Sequence, residues 1–71
     1  MKFGEIRDKL SKTNIISINI DDALSEVNYA TIESVPNSFN DMEVKLIEYA
    51  NNIWFSNHKF NGLRISVVKG N

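Results

Sequence analysis

The order of apolar and polar positions divides the chain into short, distinct runs. Lys2–Ser11 places Phe3, Ile6 and Leu10 at i, i+3 and i+7, a single apolar stripe that predicts a short helix. Glu5, Arg7, Asp8 and Lys9 fill the remaining positions as solvent-type residues. A helix this short is marginal in isolation and must dock to persist. Asn14–Ile20 alternates instead, with Ile16, Ile18 and Ile20 on one face, Ser17 and Asn19 on the other, and Ile15 as the exception. β-Branched side chains fit a pleated surface, so this run predicts a strand. Residues 21–26 read as a connection, and Val27–Glu33 alternates again. Consecutive strands joined by a short connection predict an antiparallel hairpin.

Pro36 closes the second strand, and Ser38–Asn40 supplies helix-start residues with Asp41 and Glu43 near the positive end. Phe39, Met42, Leu46, Tyr49, Ala50 and Ile53 then follow helical spacing, with Ile47 and Trp54 flanking the stripe. This predicts a second helix over 41–55 with Trp54 in the core. The strand alternative keeps Met42, Val44 and Leu46 in alternation, but it breaks at Ile47 and needs a turn at Asn51-Asn52. Residues 57–62 read as a loop, with Asn61-Gly62 as its turn signal. Leu63–Val68 alternates Leu63, Ile65 and Val67 against Arg64 and Ser66, a last strand. The expected architecture is one α+β domain over 1–71: a short N-terminal helix, a β-hairpin, a second helix and a final strand (αββαβ). Its three-stranded sheet carries the helices on one face.

Seventy-one residues and 8.1 kDa allow one small domain, in which folding buries only about 60% of the unfolded chain's surface. Eight Lys and Arg against nine Asp and Glu leave a formal charge of −1, which excludes a uniformly basic nucleic-acid coat. The absence of cysteine excludes disulfide frameworks, thiolate metal sites and cysteine nucleophiles. No apolar stretch has the length of a membrane span or a secretory signal, so a cytoplasmic protein is expected. The abundance of Asn, Ile and Lys reflects AT-rich codons and points to a low-GC bacterium or one of its mobile elements. Charge is unevenly placed. Residues 21–48 hold seven acids against Lys45, whereas 49–71 hold Lys59, Arg64 and Lys69 with no acid.

Catalytic patterns are thin. Glu43-Val44-Lys45 matches the acid-x-lysine element of metal-dependent nucleases, with Asp21 or Asp22 as a second carboxylate for Mg²⁺. In the first turn of a helix, however, Glu is explained by the dipole and Lys by solvent. His58 is the sole histidine, so no histidine metal cluster can form. Gly4, Gly62 and Gly70 are isolated and build no phosphate loop. A non-enzymatic chain without cofactor or metal is the expectation.

Two surfaces carry the binding hypotheses. Asp21, Asp22 and Glu26, with Asp41 and Glu43 second, could form a carboxylate array facing a basic groove on a larger protein. The plainer reading is a solubilising surface. Alternatively, Phe55, Lys59, Phe60 and Arg64 interleave aromatic and basic side chains, a composition suited to single-stranded DNA or RNA.

The opening Met1-Lys2-Phe3-Gly4-Glu5-Ile6 leading into Ile15–Ile20, followed by the acidic hairpin region, resembles in build the small accessory proteins of phages and mobile elements. Some of these are anti-defence inhibitors, including anti-CRISPR proteins that block a bacterial defence nuclease. The resemblance implies a protein-interaction module that occludes a surface on a larger protein. A small core and free sheet edges allow either a monomer or a homodimer.

Overall fold

The computed structural model describes residues 1–21 and 26–69. They form a helix α1 (Phe3–Ile6) and strands β1 (Ile15–Ile20), β2 (Val27–Tyr29), β3 (Glu43–Phe55) and β4 (His58–Val68). Three 3₁₀ turns lie at Arg7–Lys9, Ile32–Ser34 and Asn37–Phe39. The sheet order is β2-β1-β4-β3. β1 pairs antiparallel with β2 and parallel with β4, and β3–β4 is a long antiparallel hairpin.

The alternation in β1 does what its sequence implies. Ile16, Ile18 and Ile20 stand opposite Leu63, Ile65 and Val67 of β4. They face α1 and the 3₁₀ turns, which contribute Phe3, Ile32, Val35 and Phe39 to the main core. Phe3 and Phe39 rings pack with centroids 6.3 Å apart, and Tyr29 meets Phe39 edge-on at 6.2 Å. The opposite, more open face carries polar side chains along its centre, Ser17, Asn19, Arg64 and Ser66, of which Ser17 is buried and the others half-buried.

The predicted hairpin of β1 and β2 is present, but several sequence expectations are corrected. The second helix over 41–55 is the strand β3, so the sheet has four strands, not three. The reason lies in two β-bulges, at Val44/Leu46 and Ala50/Ile53. A bulge inserts one residue, so same-face positions recur after three residues rather than two. Val44 and Ile47 therefore share the core face opposite Val67 and Ile65, while Ala50 and Ile53 share the open face opposite Gly62 and Phe60. This spacing imitates a helical stripe.

Trp54, expected in the core, is 62% exposed. The N-terminal helix shrinks from Lys2–Ser11 to one α-turn and a 3₁₀ turn, as expected of a helix too short to hold itself, and Leu10, extended beyond it, still packs on the core. The second strand ends at Tyr29, and 32–34 form a 3₁₀ turn that buries Ile32. The last strand begins at His58. Asn61-Gly62 lies inside it, and the reversal falls at Ser56-Asn57. Both turn residues have left-handed φ, 53° and 65°, and link the Phe55–His58 pair as a two-residue hairpin of the type whose twist suits flanking strands.

Candidate functional site

The second bulge directs the rest of the architecture. Past Asn51-Asn52, β3 bends back across the open face, and Ile53 becomes buried against Ile15 and Ala50, with Phe55 beside them. The bend carries Trp54 to the opposite edge of the sheet, where its carbonyl accepts a 2.7 Å hydrogen bond from Asn28 Nδ2 on β2. Between the bent strand and the sheet lies a pocket of about 230 Å³, walled by Ser17, Glu26, Asn28, Asn52, Ile53, Trp54 and Arg64.

The polar groups of this pocket are linked. Ser17 and Arg64 are register partners on β1 and β4, and both reach the carboxylate of Glu26. Ser17 Oγ donates to Oε2 at 2.6 Å and Arg64 Nε donates to the same oxygen at 2.7 Å. Arg64 also donates to Asn52 Oδ1 at 3.4 Å. Ser17 is fully buried, which its hydroxyl tolerates because it is bonded. Asn28 Oδ1 is closed to solvent and has no hydrogen-bond partner among the described residues. Its orientation is fixed, since the amide nitrogen is committed to the Trp54 carbonyl.

Burial opposes ionisation of Glu26, but the bonds from Ser17 and Arg64, with the guanidinium charge, outweigh it and hold its pKa below the ordinary 4.5. A carboxyl with a lowered folded pKa adds stability above its unfolded pKa and loses it as pH falls through the folded value. The stability gap between wild type and Glu26→Gln should therefore be present at neutral pH and shrink below about pH 4.5. Thermal unfolding across pH reads this, and a constant gap would contradict it.

The predicted acidic residues divide between two places. Glu26 faces the pocket and is paired with Arg64. Asp21 and Glu43 flank the end of β4: Asp21 Oδ1 accepts from the Lys69 amide at 3.0 Å, and Glu43 stands opposite Val68. Glu43 also bonds the Met1 ammonium, which holds its pKa below the usual carboxylate range. Asp41 is exposed just before β3, and its carbonyl accepts from Lys2 Nζ at 3.1 Å. Asp22 lies outside the described residues. Among the described residues, no cluster of three metal-ligating acids or histidines forms.

The aromatic–basic set is split as well. Phe55 is half-buried in the second apolar cluster and Arg64 is held in the pocket. Lys59 and Phe60 stay exposed at the hairpin tip, Phe60 with its ring edge-on to His58 at 6.2 Å. Trp54 stands directly across from Lys59.

Sequence reasoning missed the outer strand β3 as a surface. Leu46, Tyr49 and Trp54, three large apolar side chains on this one edge strand, are 51%, 68% and 62% exposed. Their helical spacing argued for burial, and only the bulges reverse that reading. Reasoning also missed Arg7. Its guanidinium donates to Asn40 Oδ1 at 2.6 Å, the Val35 carbonyl at 2.7 Å and the Ile32 carbonyl at 3.2 Å, and it covers the Phe3 ring at 5.5 Å. No helix among the described residues is long and apolar enough to cross a membrane. Comparison of the chain with protein-family models, curated proteins and solved structures gave no match.

Proposed function

We propose that this chain is a non-enzymatic protein-interaction module that covers a surface on a larger protein, with the outer side of β3 as its contact. The observation that carries this reading is the exposure of Leu46 and Tyr49, which flank the outer edge strand from its two faces. Edge strands offer unpaired backbone groups to an incoming chain, and apolar side chains on either face of the edge can pack against it. Aromatic side chains are the ones that most often dominate interface energetics. The N-terminal segment covers only the beginning of this edge, through Val44 N to the Met1 carbonyl at 2.8 Å and Phe3 N to the Met42 carbonyl at 2.9 Å.

Asp41 and Glu43 lie where β3 begins, with Asp21 on the far side of β4. This acidic margin favours a partner that is basic around an apolar centre. Blocking a bacterial defence nuclease is the finer form of the proposal. It draws on the resemblance in build to small phage and mobile-element inhibitors. The test is Leu46→Lys combined with Tyr49→Lys. Both side chains are exposed, so the unfolding temperature should move little, while capture of a partner from host extract is lost. Undiminished capture by this variant would overturn the assignment.

A second reading, binding of single-stranded nucleic acid at the hairpin tip, is favoured by the exposed Trp54 across from Lys59 with Phe60 nearby. Aromatic faces beside cations suit stacked bases and phosphates.

A further inference from the structure

We infer that the pocket beneath the bent end of β3 receives an amine-bearing nucleobase (adenine, cytosine or guanine) from a single-stranded nucleic acid. This deepens the second reading above and rests on it.

The volume limits the ligand first. About 230 Å³ falls below the ~300 Å³ at which pockets for drug-sized molecules begin, so the site suits one flat ring system. The wall chemistry then selects its edge. Ser17 and Arg64 both reach one oxygen of Glu26, and an ionised carboxylate has further acceptor capacity on its other oxygen. Asn28 Oδ1 is a second acceptor, oriented by its own amide nitrogen and left without a partner among the described residues. An unmet, solvent-shielded carbonyl calls for a donor.

Two acceptors two residues apart, Glu26 just before β2 and Asn28 within it, want a group with two hydrogens, which an exocyclic amine supplies. Pairing of an acidic side chain with the cytosine amine is a known form of base readout. Thymine and uracil present carbonyl oxygens where cytosine presents the amine. They would set acceptor against acceptor. Glu26 and Arg64 neutralise one another, so the pocket favours a neutral ligand over a phosphate. Phosphates are left to Lys59 at the tip. Trp54 forms one wall while remaining mostly exposed, which allows a base to stack as it enters. Because the strand end at Trp54 is tied to β2 by Asn28, contact with Asn28 Oδ1 requires a small outward movement of that end.

Trp54 is the only tryptophan, so its emission reports directly on the site. The experiment titrates the full chain with short oligo-dC, oligo-dA and oligo-dT at low salt. Saturable changes with oligo-dC and oligo-dA are expected, with oligo-dT weaker by roughly tenfold. In Glu26→Gln and Asn28→Ala the dC-to-dT ratio should collapse towards one. Glu26→Gln preserves shape and guards against a folding defect in Asn28→Ala. Equal binding of oligo-dC and oligo-dT leaves the second reading standing and overturns the pocket. Retained preference in both variants also overturns it, and absence of all binding overturns both readings. Cytidine monophosphate bound as tightly as oligo-dC would make the ligand a free nucleotide and overturn the strand assignment.

Discussion

Gly62→Ala should destabilise the protein by about 3 kcal/mol, one of the largest effects available to a single methyl group. Gly62 lies in β4 between Ile15 of β1 and Ala50 of β3. A Cβ there would stand 2.2 Å from the Ile15 carbonyl oxygen, and the obstacle is backbone rather than a side chain that can swing away. Relief requires β1 and β4 to separate. That pair aligns Ile16, Ile18 and Ile20 with Leu63, Ile65 and Val67, so the main core loosens too. A chain of this length has on the order of 4–10 kcal/mol in all, and the midpoint of thermal unfolding should fall by ~15 °C or more. A shift of only a few degrees would show that the close approach is not a constraint in solution.

Arg7→Ala should cost about 2–4 kcal/mol, although the sequence presents Arg7 as an ordinary solvent-facing position. The guanidinium joins α1 to both later 3₁₀ turns, because its planar fork reaches the Ile32 and Val35 carbonyls with one nitrogen and Asn40 with the other. Those turns carry Ile32, Val35 and Phe39 into the core. Without the arginine, three acceptors lose a charged donor and Phe3 loses its cover. Arg7→Lys should recover little of this, since a single ammonium cannot span the same acceptors. Thermal unfolding measures the loss, and faster amide exchange over residues 32–40 should accompany it. Full stability in Arg7→Lys would mean that charge alone, not the fork, holds the turns.

The fold was legible where local alternation and burial coincide. β1 and the core of β4 follow from Ile16, Ile18, Ile65 and Val67, and the β1–β2 hairpin follows from sequence proximity. The parallel pairing of β1 with β4 was not legible, because it joins segments more than forty residues apart without a local signal. β3 was hidden for a specific reason: two inserted residues convert a period of two into steps of three at the places where a helix would also put them. Tyr49 and Trp54 were read as core by the same token. The pocket was out of reach for a related reason. Glu26 and Arg64 belong to opposite charge segments of the chain, and the β1–β2 and β1–β4 registers, with the bend at Asn51-Asn52, bring them together beside Ser17 and Asn28.

We propose that the outer edge of β3 meets a protein partner. Photo-crosslinking from single positions tests it most directly, with the reactive group at Tyr49 and, as control, at Glu33 on the exposed 3₁₀ turn. In host extract, position 49 should yield one saturable adduct with a larger protein, and position 33 none. Equal adducts from both positions, or an adduct from position 33 alone, would contradict the assignment of β3 as the contact surface.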